Sequence, residues 1–307
     1  MTNNLNMILL ENRNYSIPLI SAIIISIIIY RSAFKNGNYT CDNLIVNTYL
    51  YVILSLVLFH IFMMYFSEII PLKMVLDVTK KYNINIILLI TFAILFAVIM
   101  IFNYMYKNIV ISHIILLLLV AFAGFCNSFL YTLLKMEGLY EKVILTVLFI
   151  FILFTFLFYK YKETLSQYIN DKFYIIVIFS VLLVCIIEFI LIFTNTYSLN
   201  IMFIISSFII GAFIYILLYH TKKLSEIKKT DCEEALKNCN SKDKKNCNPK
   251  NYPAYPQKSW RIFNAIVVLF QNIAEIFLGR KKNRRIGRSR IGRSRGRGRG
   301  RGRGRSF

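Results

Sequence analysis

Charged side chains are scarce in this chain of 307 residues. Only 17% of the residues are charged, and only 15 of them are acidic. An average soluble domain has about a quarter of its residues charged, so this scarcity excludes an ordinary soluble globular protein. Hydrophobic residues make up 57% of the chain and form successive runs separated by short polar breaks. This distribution predicts an all-α, polytopic membrane helix bundle.

Catalytic sequence motifs are also missing. The chain has no phosphate-binding P-loop, no Gly-x-Ser-x-Gly and no His-Glu-x-x-His sequence. The polar segments between the apolar runs are too short to form an enzyme domain. We therefore expect no enzymatic activity, no cofactor and no metal site.

Eight apolar runs follow one another along the chain. They occupy about 17–30, 44–66, 86–106, 109–134, 143–159, 173–193, 201–219 and 262–278. The six runs between residues 44 and 219 reach the roughly 17–20 apolar residues that a spanning helix needs. The first run has 14 residues. It is a short anchor, an interfacial helix or the core of a signal peptide, and the weak positive charge before it favours the anchor.

Two pairs of small residues mark candidate helix contacts. Gly124 and Ser128 are four positions apart, and so are Ser207 and Gly211. Such pairs let two helices approach closely in lipid, although small residues are common in any membrane helix.

The stretch 261–280 combines an apolar sequence with four polar side chains. Asn264, Gln271 and Glu275 recur at helical spacing and share one face, and Asn272 lies beside it. Because lipid cannot satisfy these groups, this face is expected to point at protein or water. We predict that this helix lies in the middle of the bundle.

Short motifs in the last runs carry a family resemblance. They are Leu218 to Thr221 (Leu-Tyr-His-Thr) and Leu269 to Leu278 (Leu-Phe-Gln-Asn-Ile-Ala-Glu-Ile-Phe-Leu). Earlier in the chain come Gly124 to Tyr131 and then Tyr159 to Lys162 (Tyr-Lys-Tyr-Lys). In this order they resemble the transmembrane Bax-inhibitor-motif family, which includes the Bax inhibitors, the Lifeguard proteins and the Golgi anti-apoptotic proteins.

The resemblance covers residues 47–279 and implies seven membrane segments, so that the run at 17–30 is an N-terminal addition. Three regions follow from it: an N-terminal region 1–43, a membrane bundle 44–279 with a hydrophilic loop at 221–258, and a tail at 280–307. It also implies a calcium or other cation leak channel that lowers stored calcium and restrains cell death.

The family pairs two Asp residues of its last two helices as a proton-sensitive latch. Here these positions hold His220 and Asn272. We hypothesise that His220 instead pairs with Glu275, which lies one turn after Asn272. The alternative is that His220 only ends its helix at the headgroup level, beside Lys222 and Lys223.

Other ionisable groups lie inside the apolar runs. Glu188 comes fifteen residues after Phe173, at which its run begins, and needs a partner, a proton or water. It either lines an ion path or is a neutral, hydrogen-bonded core acid. His60 lies in mid-run, where we expect a hydrogen bond between helices. The predicted ion path thus comprises His220, Asn272, Glu275 and Glu188.

Lysines in short loops predict the orientation in the membrane. Residues 160–172 and 221–258 carry an excess of Lys, which favours the cytoplasmic side for both. Cys232, Cys239 and Cys247 would then be reduced thiols, and their spacing is not typical of a zinc site. A full crossing by the last run would move the basic tail to the other side, whereas a re-entrant helix would not.

The tail at 280–307 holds 14 Lys or Arg residues and no acid, so that the rest of the chain has a net charge of +8 instead of +22. Its Gly-rich, charged composition predicts disorder. Its charge suits nucleic-acid phosphates or anionic lipid through Arg284, Arg285, Arg288, Arg290, Arg293, Arg295, Arg297 and Arg299. The second hypothesis is a structural or tethering protein of an ER-like, Golgi-like or viral membrane, whose tail binds such a partner.

Overall fold

A computed structural model describes residues 2–35, 37–69, 101–102, 107–194, 198–240 and 250–296. These residues form nine α-helices and one antiparallel pair of two-residue strands. In chain order the elements are α1 Thr2–Ala33, β1 Phe34–Lys35, β2 Asn38–Tyr39, α2 Leu44–Ile69, α3 Ile109–Met136, α4 Tyr140–Lys160, α5 Lys162–Tyr168, α6 Asp171–Phe193, α7 Leu199–Ser225, α8 Lys229–Asn240 and α9 Tyr255–Gly296.

Six helices of the described chain are long and apolar enough to cross a membrane. The candidate spans are Tyr15–Ala33, Leu44–Ile69, Ile109–Met136, Tyr140–Lys160, Asn200–Ser225 and Tyr255–Gly279. A seventh is counted if α5 and α6, which meet at a bend of 62°, form one broken span. The predicted all-α multi-pass bundle is therefore confirmed. The run at about 86–106 lies almost entirely outside the described residues, so that the predicted total of seven segments plus one stays a prediction.

The N-terminal apolar run lies within α1. The span Tyr15–Ala33 extends the predicted run at both ends and has 19 residues, which suffices by length and composition for a membrane anchor. Ser21 and Ser26 donate hydrogen bonds to carbonyl groups of the preceding turn, so that their hydroxyls are satisfied within the helix.

Two helices begin at a short polar residue that caps their first turn, and a glycine forms the turn between α3 and α4. Asn108 precedes α3, and its side chain accepts a hydrogen bond from the Ile111 amide at 3.1 Å. Ser198 does the same for α7 through the Ile201 amide. Both are N-caps that satisfy an amide with no partner in its own helix. Beyond α3, Gly138 has a φ of +64°, a left-handed conformation that closes the turn into α4.

The tightest helix contact in the described bundle joins α2 and α3 at Gly124. A methyl group added there would lie 2.5 Å from the Phe62 Cβ and 3.2 Å from the Met63 amide nitrogen. Gly124 thus confirms the predicted close approach. The second predicted contact is wrong: Ser207 and Gly211 are exposed, and a methyl group at Gly211 would meet nothing within 4 Å. Their face of α7 points away from the bundle.

Four connecting segments gather at one end of the bundle, which we call the cap end. Their described residues are 34–35, 37–43, 107–108, 161–170, 226–240 and 250–254. The Lys229 Nζ lies 2.5 Å from a carboxylate oxygen of Asp42, and the Lys107 Nζ donates to the Cys239 carbonyl at 2.9 Å. At the end of α7, Lys222 donates to two carbonyl groups of residues 161–170. The opposite end, where the span of α9 ends at Gly279, is the tail end.

Helix α9 passes through the bundle without a break and runs on to Gly296. Its continuous span excludes a re-entrant hairpin within residues 255–279. The predicted disorder of the tail stays a prediction, and the backbone of 280–296 continues the helix. The physical reason is that extending an existing helix adds one hydrogen bond per residue without a new nucleus, and that Arg and Lys are good helix formers. Residues 297–307 lie outside the described residues.

The two glycines provide a matched test of helix packing. We expect Gly124→Ala to destabilise the protein by about 1–3 kcal/mol, because the new methyl group overlaps α2. Gly211→Ala should instead raise stability by about 0.5–1 kcal/mol, since it removes backbone entropy without a clash. Thermal unfolding of both variants in the same detergent checks this, and equal effects would contradict the packing.

Candidate functional site

The centre of the bundle is α9. Of its apolar span 61% is buried inside the protein, whereas the other five single-helix spans have 17–33% buried. It packs against α2, α3, α4 and α7. The sequence prediction of a central helix is thus confirmed, and the polar side chains of α9 meet protein partners at three depths.

At the cap end, the first residue of α9 belongs to a cluster of aromatic side chains. We call Tyr39, Tyr51, Tyr255 and His113 the tyrosine cluster. The Tyr51 and Tyr255 rings stack 5.8 Å apart, and the Tyr39 ring lies edge-on to Tyr255 at 5.4 Å. The Tyr51 hydroxyl is hydrogen-bonded to the His113 Nε2 at 2.6 Å. The cluster joins β2, α2, α3 and α9.

Backbone carbonyl groups of Ser32, Thr40 and Asp42, at and around the two strands in what we call the hairpin region, accept hydrogen bonds beside this cluster. The Tyr255 hydroxyl donates to the Thr40 carbonyl at 2.5 Å. The buried Asn47 amide donates to the carbonyl groups of Ser32 and Asp42 at 3.1 and 2.9 Å. The connection between α1 and α2 therefore lies directly on the cap end of α9.

Gln257 and Gln271 tie α9 to α3 at two levels. The Gln257 Nε2 donates to the Ser112 hydroxyl at 2.9 Å. The Gln271 Nε2 donates to the Asn127 Oδ1 at 3.0 Å, and Asn127 in turn donates to the Ala123 carbonyl. Amide pairs of this kind satisfy polar groups that lipid cannot.

Two carboxylates and a hydroxyl meet near the tail end, between α6, α7 and α9. The buried Ser206 hydroxyl donates to the Glu275 Oε2 at 3.2 Å. The Glu188 carboxylate on α6 lies close enough for its charge to act on Glu275. Within the described residues no group of three or more His, Cys, Asp or Glu side chains is placed to hold a metal ion.

The structure separates His220 from Glu275, so the hypothesis of a His–Glu latch is wrong. Ser206, which contacts Glu275, and His220 both lie on α7, fourteen residues apart. A helix rises about 1.5 Å per residue, so His220 is about 21 Å from that contact. It instead meets the Tyr174 ring edge-on at 5.6 Å, near the end of α7. The helix continues from His220 to Ser225, so that His220 does not end it, and the predicted position at the headgroup level stays a prediction.

Of the other polar residues considered in the sequence, His60 has the predicted contact, whereas Asn272 and Asn264 do not. Asn272 is buried, but its amide donates to the Val268 carbonyl of its own helix, so that it makes no latch. Asn264 is exposed, although we predicted that it shares a protein-facing side with Gln271. His60 confirms the prediction of a hydrogen bond between helices, since its Nδ1 lies 2.5 Å from the Tyr140 hydroxyl on α4.

Sequence analysis missed the partners of α9, namely Asn47, Ser112, Asn127 and Ser206. Each is a small polar residue inside an apolar run, and that is the signal by which they could have been found. Ser and Asn are common in membrane helices, however, and only their position against α9 distinguishes these four.

Cysteines at the cap end correct the predicted chemistry of the loop. Cys41 forms a disulfide with Cys232, 191 residues later, with the Cα atoms 5.8 Å apart. Cys239 is disulfide-bonded as well. The expectation of reduced thiols in this loop is therefore wrong for Cys232 and Cys239, and Cys247 lies outside the described residues. Sequence spacing alone could not have revealed a partner in the hairpin region.

A salt bridge lies beside this disulfide. The hydrogen bond and the charge of Lys229 lower the pKa of the Asp42 carboxyl, and Asp42 raises the pKa of Lys229. A lowered carboxyl pKa stabilises the fold above the ordinary pKa of Asp, and this contribution is lost as the pH falls through the lowered value. Both side chains are exposed, so that solvent and salt weaken the attraction.

Comparison with protein-family models, with curated proteins and with solved structures finds no match to this chain.

A double-mutant cycle tests the amide pair in the middle of α9. We expect the coupling between Gln271→Leu and Asn127→Leu to be about 0.6 kcal/mol, and at most about 1.7 kcal/mol, as for other hydrogen bonds in membranes. The free energy of unfolding in mixed micelles measures it. Asn264→Leu serves as the control because Asn264 is exposed. A cycle with no coupling would show that the bond contributes nothing to stability.

Proposed function

We propose that this multi-pass membrane protein conducts cations along the polar side chains of α9. The observation that carries the proposal is the contact of Glu275 on α9 with the buried Ser206 hydroxyl on α7, with Glu188 on α6 near enough for its charge to act on Glu275. An ionisable residue inside a membrane segment is a functional candidate by default, since placing it there costs free energy. A site with two such residues from different helices strengthens this argument.

The chemistry of the site favours a hard cation. Calcium prefers carboxylate and hydroxyl or carbonyl oxygens, and the two glutamates and the serine supply such ligands. Along α9, the Gln271–Asn127 pair and the tyrosine cluster continue the polar side chains toward the cap end. We therefore keep a calcium leak as the proposed activity. The role in restraining cell death rests on the family resemblance alone.

Calcium flux into proteoliposomes tests this proposal. We expect Glu275→Gln and Glu188→Gln each to reduce the flux by about tenfold or more, because each removes a charge that the ion needs. His220→Ala should leave the flux unchanged, since His220 lies far from the site. Glu163→Gln on α5 is a matched control for the loss of one exposed carboxylate. Full flux in both site variants would reject this ion path.

The alternative proposal is a membrane tether. It is favoured by the chemistry of the two ends of the bundle, namely a disulfide at the cap end and a strongly basic sequence at the tail end. Disulfides persist in oxidising compartments and are rare in the cytosol, so that the cap end is assigned to the lumenal or outer side. This reverses the orientation expected from the lysine-rich loops. Several of those lysines are paired within the cap end, among them Lys222, Lys223 and Lys229.

With the cap end outside, the basic extension of α9 points into the cytoplasm. The tail holds 14 basic residues and no acid, and its cytoplasmic placement agrees with the positive-inside rule. Its proposed partners there are the phosphates of a nucleic acid or the anionic leaflet of the membrane. Deletion of residues 280–307 should abolish tethering and leave any ion flux intact.

Engineered glycosylation sites test the orientation. Lys242→Thr creates an Asn-Ser-Thr sequence that begins at Asn240, and Gly292→Asn creates an Asn-Arg-Ser sequence that ends at Ser294. Expressed in a cell with an endoplasmic reticulum, only the first variant should gain a glycan, seen as a mobility shift that glycosidase removes. A glycan on the second variant alone would show the opposite orientation.

A further inference from the structure

Helix α8, residues Lys229–Asn240, is packed at the cap end along one face, and we call this helix the lid. Its residues Cys232, Ala235 and Cys239 recur at helical spacing and are at most 3% exposed, so one face of α8 is packed down. The other face carries exposed charged residues such as Glu233 and Lys237. The Cys41–Cys232 disulfide joins α8 to the residues beside Thr40 and Asp42, whose carbonyl groups accept hydrogen bonds from Tyr255 and Asn47.

Three buried polar atoms at or beside the start of α9 disfavour an arrangement that excludes water from this region. Among the described residues, the Tyr39 hydroxyl, the Asn47 Oδ1 and the Gln257 Oε1 are buried without a hydrogen-bond partner. Tyr39 is 2% exposed and Asn47 is fully buried. A buried polar atom without a partner loses its hydration and gains nothing in exchange. Water entering under α8 would satisfy these atoms, so that the closed state depends on what holds the lid.

Among the described residues, the covalent contact between the lid and the hairpin region is the Cys41–Cys232 disulfide. The neighbouring Lys229–Asp42 pair is exposed on both sides and therefore weak. Lys107 adds one hydrogen bond to the Cys239 carbonyl, near the far end of α8. The disulfide is thus the main constraint on the first turn of the lid.

We propose that reduction of the Cys41–Cys232 disulfide releases α8 and opens the cap end of α9 to water and ions. The proposal rests on the proposed ion path, which it would regulate. The reductant is a dithiol: one thiolate attacks a sulfur of the disulfide, and its second thiol resolves the mixed disulfide. Two protein thiols and one disulfide of the reductant result. At the cap end, the resulting opening exposes Asn47 and the tyrosine cluster.

Hydrogen exchange of the protein in lipid nanodiscs tests the opening directly. Addition of dithiothreitol, or the double substitution Cys41→Ser/Cys232→Ser, should speed amide exchange in residues 229–240 by about tenfold or more. Exchange in α2 and α3 should stay unchanged. The double variant separates this disulfide from the one at Cys239, which dithiothreitol also reduces.

The matched control is Cys126→Ser/Cys185→Ser, which replaces the two free thiols and leaves the lid disulfide intact. It should exchange like the unmodified protein and respond equally to dithiothreitol. If the double variant without the disulfide does not fold, dithiothreitol applied to a Cys239→Ser variant isolates the Cys41–Cys232 disulfide. Unchanged exchange of residues 229–240 after reduction would overturn the proposal.

Calcium flux of the same variants in proteoliposomes, with and without dithiothreitol, separates the lid from the ion path. Faster exchange together with a rise in flux of about tenfold supports both. Faster exchange with a measurable but unchanged flux overturns the proposed control by the lid. Faster exchange with no flux in any sample supports a reducible lid and rejects the ion path.

Discussion

The constraint on which this structure depends is that a helix carrying amide, hydroxyl and carboxyl groups must lie where lipid cannot reach them. Helix α9 carries such groups along its whole span, and no polar partner exists for them in hydrocarbon. The other spans accordingly surround α9 and place a polar residue at each level. Asn47, Asn127 and Ser206 come from three different helices and meet α9 near its start, middle and end.

The polar contacts around α9 differ in whether the two partners satisfy each other by hydrogen bonding. The amide pair of Gln271 and Asn127 satisfies both partners and has a structural role by itself. The carboxylates of Glu188 and Glu275 do not satisfy each other, because both are acceptors when ionised. The proposed ion path rests on this pair of acids and not on the amide pair.

The two ends of the bundle differ in how their positive charges are balanced. The cap end is held by a disulfide, by the tyrosine cluster and by lysines that contact carbonyl groups or acids, so its positive charges are partly neutralised in place. The tail end continues into a helix whose sequence holds many bases and no acid. Counting lysines in the loops treats both kinds of charge alike, and the proposed orientation, with the cap end outside, departs from that count.

Local patterns in the sequence by themselves determined the helical, multi-pass architecture and the central place of α9, because run length and the spacing of polar residues depend only on neighbours along one helix. The tertiary structure decided which residues meet across the chain. Glu275 contacts Ser206 and not His220, Gly124 is a contact and Gly211 is not, and Cys41 finds Cys232. These pairings depend on how helices rotate and pack, which residue spacing within one helix cannot specify.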